Sequence, residues 1–490
     1  MEVATQSGAR TGTLITEEVL DGKIFSGGWR ETGDRLDVHN PATDEHLASV
    51  GNSARDDVLK ASKLAAEAQV GWAATPGPER AKLLHAAADA LEGAREEIEW
   101  WLINEGGGVP QKAAFEVGEA AKELRAAAAL TSMPVGEVLP NEQGRISMAK
   151  RLPVGVVGVI APWNFPMILA MRSVAPALAL GNSVLLKCDP HTPVCGGLVF
   201  ARAFEEAGWP ENVFQVLPGG VEPGEAICEA PEVRMVSFTG STRAGRRVSE
   251  LAAQAPKPVS LELGGKSPNV ILDDADLEQA VTDGVAKCFL NSGQTCSALT
   301  RMLVPRDKLE EAERIAATIA DEAFTPGNPF EDGSALGPLV SETQVERVRG
   351  YIEKGQAEGA RLVTGGTEPP DGLHRGYFVR PTVFSDVRPD MTIAQEEIFG
   401  PVLAIMPYED EEDAIRIAND SVYGLAGGVW SADEERAKRV AARIRTGQVE
   451  INGGAFNPMA PFGGYKWSGH GRELGRYGLE EFLVAKSLQL

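Results

Sequence analysis

Positive charge is scarce in this 490-residue chain: 47 Lys and Arg stand against 70 Asp and Glu, a formal net charge of −23. A surface of that sign repels phosphate backbones and anionic headgroups, and no Lys/Arg cluster offsets it. Nucleic acid and membrane partners are not expected. Cysteine is also sparse, at Cys188, Cys195, Cys228, Cys288 and Cys296, an odd number without a CxxC pair. That argues against a disulfide framework or a zinc site and fits a reducing cytoplasm. The six histidines are scattered without metal-ligand spacing, so no metal is expected. Long hydrophobic runs are lacking too. The most apolar region, Leu152 to Leu186, is broken by Pro153, Pro162, Pro166 and Pro176, which makes it core strands and a helix. The first twenty residues hold no apolar run after a basic start and do not read as a secretory signal. A loosely docked N-terminus is expected there.

What is present is the composition of a globular protein, 43% hydrophobic and 24% charged. At roughly 150 residues per domain, the length suggests about three units. Apolar residues recur every three or four positions over Asp56–Ala74, Glu79–Asn104 and Ala113–Ala129, the signature of amphipathic helices. After Met148 the pattern turns to short β-rich runs, VGVVGVIA, NSVLLKC, NVFQVL and VRMVSFTG, separated by helical stretches such as Val194–Glu206. Such alternation predicts a parallel, doubly wound sheet. A second series follows Glu262, with strands at NVILD, RMLVP, RLVTGG and VLAIMPY and helices over Lys308–Ala323 and Glu342–Glu358. The fold class is α/β, with two such domains. The acidic run EDEEDAIRIAND reads as a solvated helix start, not a site.

Three segments could carry chemistry. SFTGSTRAG follows a strand and opens a helix, so Ser241 and its glycines could set backbone N–H groups against a pyrophosphate, although the spacing departs from GxGxxG. In NSGQTC, Cys296 follows a polar turn that could expose its sulfur, whereas a lone cysteine is more often a small buried hydrophobe. Upstream, Glu262 lies between the strand-like VSL and paired glycines in SLELGGKSP. With no histidine nearby in sequence, it is the better candidate for a general base.

Taken in order, PWNFP (162–166), FTGS (238–241), LELGGKSP (261–268), GQTC (293–296), EEIFGPV (396–402) and PFGGYKWSGHGRELG (461–475) resemble the aldehyde dehydrogenase superfamily over nearly the whole chain. Cys296 follows Glu262 by 34 positions, as in that family. The resemblance implies that Cys296 attacks an aldehyde to give a thiohemiacetal whose oxyanion is held by the Asn164 amide and the cysteine's own N–H. It implies hydride transfer to NAD or NADP, then thioester hydrolysis assisted by Glu262. Glu397 inherits a contact to the nicotinamide ribose, Phe399 packs beside the nicotinamide, and Lys187 reaches the adenine ribose. Trp163, Gly219, Ser241 and Leu263 line the rest of the cofactor groove. Gly264, Gly265, Gly463 and Gly464 read as turn formers.

Two departures bear on specificity. Where many NAD-preferring members have KPSE or KPAE, this chain has KCDP with Pro190, so use of either cofactor is expected. Where many have Trp-Lys after PWNFP, this chain has Arg172-Ser173. MILAMRSVAPALALGN, LLKCDPHTPVCGG and FQVLPGG are most similar to the benzaldehyde and vanillin dehydrogenase branch. Phe165, Leu290, Phe456 and Phe462 fall in stretches that line the substrate tunnel in relatives, together with Arg172. An aromatic aldehyde is expected to be preferred to a short acidic one. Alternatively Arg172 binds a substrate carboxylate, as in succinate-semialdehyde dehydrogenases, or simply packs its stem on the channel wall.

Among other classes, CoA-acylating semialdehyde dehydrogenases share the cysteine but typically lack the glutamate, and Glu262 favours hydrolysis. A crystallin-like silent role sits badly with Cys296, Glu262 and Asn164 together. The expected architecture is a Rossmann-type NAD(P)-binding domain (1–132 and 154–261), an α/β catalytic domain (262–470) and a small oligomerisation element (133–153 and 471–490). An edge strand in LVAKSLQL, completed by a neighbouring subunit, implies a homodimer or homotetramer.

Overall fold

The computed structural model describes residues 12–133, 136–140, 144–331 and 333–490. The start of the N-terminal segment (1–11) and parts of the Met133–Pro153 excursion lie outside the described residues. The chain is α/β, as its alternation predicts. Five strands, Val259–Glu262, Val233–Thr239, Val156–Ile160, Ser183–Lys187 and Phe214–Val216, run parallel in that spatial order. Two short antiparallel strands, Lys23–Phe25 and Trp29–Glu31, extend one edge, and Gly469–His470 closes the other.

Every side chain of Val156–Ile160 and Ser183–Lys187 is buried, because helices cover both faces. The two-residue period of a strand divides them: Val157, Val159, Val184 and Leu186 join one apolar cluster, while Val156, Ile160 and Leu185 join another. A second sheet repeats the device. In it Thr382–Ser385, Val402–Tyr408, Arg301–Pro305, Pro268–Ile271, Gly428–Trp430 and Glu450–Ile451 run parallel, with Arg361–Thr364 antiparallel at one edge. Met302 and Val304 face one cluster there, and Leu303 faces the other.

A three-stranded antiparallel sheet stands apart, Gly136–Leu139 and Ser147–Pro153 with the terminal strand Leu483–Gln489. The terminal strand pairs with Ser147–Pro153 of its own chain along its whole length, from Leu483 opposite Pro153 to Gln489 opposite Ser147. Its other edge pairs with no described strand.

Two expected helices differ in detail. The single helix expected over Glu79–Asn104 is two, Gly77–Gly93 and Arg95–Gly106, broken at Ala94 after a glycine that weakens the helix. The helix expected from Val194 opens as a wide π turn over Val194–Leu198 and becomes regular only at Val199. There the Glu105 carboxylate accepts from the N–H groups of Val194 and Cys195, at 2.7 and 2.9 Å, satisfying donors that have no partner in the helix itself.

Candidate active site

Local backbone chemistry places the thiol. Asn291, Ser292 and Gly293 are all left-handed, with φ of 53°, 55° and 72°. Such a run persists only when its surroundings hold it. Ser292 Oγ donates to Gly337 O at 2.7 Å, Val340 N donates to Gln294 Oε1 at 3.0 Å, and Gln294 Nε2 donates to Asn291 O at 3.2 Å. The bend delivers half-buried Cys296 to the base of a cleft. At Gly265 the main chain passes so close that a Cβ would lie 2.5 Å from Cys296 O, which accounts for glycine there.

The PWNFP segment carries the second group. Asn164 Nδ2 donates to Gln294 O at 3.0 Å, and Asn291 Nδ2 donates to the main-chain Asn164 O at 3.0 Å, so the residue is tied to the cysteine loop through both its side chain and its backbone. An amide nitrogen has two N–H groups, which leaves one for a ligand. Behind this loop, Lys112 and Glu116 form a fully buried ion pair at 2.6 Å. Glu116 accepts from Met167 N at the start of helix Pro166–Ala179, and Lys112 Nζ lies 5.1 Å from the Phe165 ring centroid.

Glu262 ends its strand 3% exposed, and neither carboxylate oxygen has a hydrogen-bond partner. Burial, then the nearby Glu473 carboxylate, push its pKa well above the ordinary carboxylate range. Glu473 is 4% exposed and is itself raised by burial. It lies 3.6 Å from Arg172 Nη1 and 3.5 Å from Ser173 Oγ, which is 2.8 Å from Ser237 Oγ. Arg172 also lies over Phe462 and Phe456, 4.5 and 5.6 Å from their centroids. Burial pushes the Cys296 thiol up to about 12, against an opposing pull from Arg172, so the resting sulfur is protonated and needs a base to react.

Two cavities meet at Cys296. One, about 200 Å³, is lined by Trp163, Asn164, Ser241, Glu262, Leu263, Glu397, Phe399 and Glu473, among others. It lies beside the carboxyl ends of the parallel strands, where crevices form in doubly wound sheets. Ser241 caps helix Thr242–Gln254 by accepting from Ala244 N. Glu397 is held by Gly265 N at 2.9 Å, and the Trp163 and Phe399 rings meet edge-on at 5.4 Å. The other cavity, also about 200 Å³, holds Phe165, Arg172, Leu290, Phe456 and Phe462. Lys187 and Gly219 line neither: Lys187 ends the strand Ser183–Lys187, and Gly219 follows Phe214–Val216.

A profile of the aldehyde dehydrogenase family matches residues 29–488. The chain belongs to the aldehyde dehydrogenase family. It is 44% identical over 468 residues to a vanillin dehydrogenase of an Amycolatopsis species, covering 94% of each. To a benzaldehyde dehydrogenase [NAD(+)] of Pseudomonas putida it is 42% identical, covering 96% of each. Its fold superposes on an aldehyde dehydrogenase C from Pseudomonas syringae complexed with NAD+ and octanal, with TM-score 0.94, 40% identity and coverage of 99% and 98%. The chain is therefore an oxidoreductase acting on aldehydes.

Sequence reasoning missed Glu473, which its position near the C-terminus grouped with the terminal strand, and missed Glu119 and Glu123 in the second cavity. The only signal for Glu473 is its place in the GRELG motif, and the two helix glutamates gave none. No described helix is long and apolar enough to cross a membrane.

Proposed function

We propose that this aldehyde dehydrogenase oxidises an aromatic aldehyde to its carboxylate through a thioester on Cys296. The observation that carries the reading is the meeting, in one cleft, of a thiol, the Asn164 amide tied to its loop, and a buried carboxylate with no partner, Glu262. Sulfur adds to the carbonyl carbon as its proton leaves to water in the cleft, and the developing oxyanion is held by Asn164 Nδ2 and the Cys296 N–H, each such donor contributing roughly 3 to 4 kcal/mol. Glu262, unpaired and raised, accepts a proton from the water that hydrolyses the thioester, releasing the acid and restoring the thiol.

The first cavity offers contacts to the nicotinamide and pyrophosphate portions of a dinucleotide. Ser241 opens a helix whose positive end suits a pyrophosphate, and Glu397 offers a fixed carboxylate oxygen to a ribose hydroxyl. The crossed Trp163 and Phe399 rings bound the space for a flat ring. A bound NAD+ or NADP+ supplies the hydride acceptor. Pro190 carries no carboxylate to repel a 2′-phosphate, which supports use of either cofactor.

Phe115, Phe165, Phe456 and Phe462 in the second cavity support a planar apolar substrate. Arg172 is already opposed by Glu473, which disfavours the alternative that it grips a substrate carboxylate. The unpaired outer edge of Leu483–Gln489 supports pairing with a second copy of the chain, and a monomer by light scattering would overturn that. The catalytic reading is tested by assaying benzaldehyde with each cofactor, with and without CoA. Carboxylate and reduced cofactor without CoA are expected, and obligatory CoA consumption or faster oxidation of succinate semialdehyde would overturn it. A preference for NAD+ of about a thousandfold would refute dual cofactor use.

A further inference from the structure

Two of the polar groups lining the aromatic cavity beyond Cys296, Glu123 and Arg172, are charged and have no part in the hydrolytic chemistry. Glu123, on helix Pro110–Leu130, is half-buried against the cavity and makes no hydrogen bond or ion pair with any described residue. Its neighbour Glu119 is already engaged by Lys122 Nζ at 2.6 Å. Across the same cavity Arg172 is nine-tenths buried, and its Nε donor has no partner. Phe456 and Phe462 cover the guanidinium, and the one carboxylate within 4 Å of it among the described residues, Glu473, stands 3.6 Å from Nη1.

A half-buried acceptor and a buried donor without partners each carry a desolvation penalty, smaller for the acceptor, that a bound ligand could relieve. Desolvation by the surrounding side chains, with the negative charges of Glu473 and Glu119, pushes the Glu123 carboxyl up to about 7, while Arg172 pulls it down. A substrate carboxylate would meet Glu119, Glu123 and Glu473, whereas a neutral hydrogen-bond donor would not.

Resting on the aromatic reading above, we propose that Glu123 is a specificity residue that accepts a hydrogen bond from a hydroxyl on the ring of an aromatic aldehyde. Arg172 Nε donates to an oxygen on that same ring. The favoured substrates are thus ring-hydroxylated benzaldehydes, with the formyl carbon at Cys296 and the ring among Phe165, Phe456 and Phe462.

The test compares kcat/KM for para-hydroxybenzaldehyde and para-methoxybenzaldehyde, which differ in the donated hydrogen. The ratio does not depend on how much of a variant is folded. In the parent enzyme the hydroxy compound is expected to be favoured roughly tenfold or more, because a site built for a hydroxyl rejects an analogue lacking it. In Glu123→Leu the ratio falls to about one, and in Glu123→Gln, which keeps an acceptor oxygen, it lies between. A ratio near one in the parent, or an undiminished ratio in Glu123→Leu, overturns the proposal while benzaldehyde oxidation keeps the aromatic reading intact. Oxidation of octanal with no turnover of any benzaldehyde overturns both.

Discussion

Replacing Glu262 by Gln removes the proposed base while keeping the shape of the side chain. The carboxylate is 3% exposed and neither oxygen accepts a hydrogen bond, so the substitution breaks no hydrogen bond. Its structural cost is an amide whose N–H groups lack partners, about 1–3 kcal/mol. The main chain is close on one side: a Cβ at Gly463, where φ is +151°, would lie 2.7 Å from Glu262 Oε1, so glycine leaves the room that Gln also needs. Loss of a positioned general base lowers a rate by roughly 10² to 10⁴, equivalent to about 3–5 kcal/mol of barrier. If Glu262 acts on the thioester, rapid mixing of Glu262→Gln with aldehyde and cofactor yields a burst of about one reduced cofactor per Cys296, followed by a steady state slowed by that factor. Loss of the burst as well would move Glu262 to activation of the thiol, a role consistent with a sulfur pushed up to about 12. A steady-state kcat within tenfold of the parent would refute the assignment altogether.

The same carboxylate dictates pH dependence. Because burial and Glu473 raise Glu262, the group is protonated at the acid end, and kcat should climb with pH by up to about tenfold per unit until it ionises. Glu473→Gln removes a neighbouring negative charge and leaves Arg172 facing Glu262, so the ascending limb should move to lower pH. A shift to higher pH would contradict that electrostatic account. Behind the PWNFP loop, Lys112→Met should strand Glu116 without its counter-charge and cost about 3–5 kcal/mol in urea unfolding. Lys112→Met combined with Glu116→Leu should recover most of that loss. A single substitution costing under about 1 kcal/mol would mean that the pair is not what holds the loop.

The sheets were legible because their strands are buried on both faces and so read as continuous apolar runs, as at Val156–Ile160 and Arg301–Pro305. Of the two helix errors, the break at Ala94 follows a local glycine, Gly93, and the other came from a tertiary neighbour. Nothing in the residues around Val194 says that Glu105, 89 positions earlier, meets its N–H, and the turn there widens to a π geometry. Cys296, Glu262 and Asn164 were found through motif order, since no local pattern ranks one thiol above four others. Their convergence depends on contacts such as that from Asn164 to Gln294, 130 positions away, which no periodicity encodes.

Glu473 and Glu123 illustrate the limit from the other side. Each is an unremarkable glutamate in sequence, yet folding places both in the field of one guanidinium, Arg172, with Glu262 as a third claimant. Arg172, joined at Glu262 by the weaker pull of Arg472, cannot neutralise three carboxylates in a poorly hydrated site, which favours their protonated forms. Burial, together with that shared deficit, keeps Glu262 raised, as the proposed base role requires, and the deficit makes the second cavity hostile to a further carboxylate. Arg172, which in sequence is equally compatible with an acidic substrate, therefore argues in the folded chain for a neutral one.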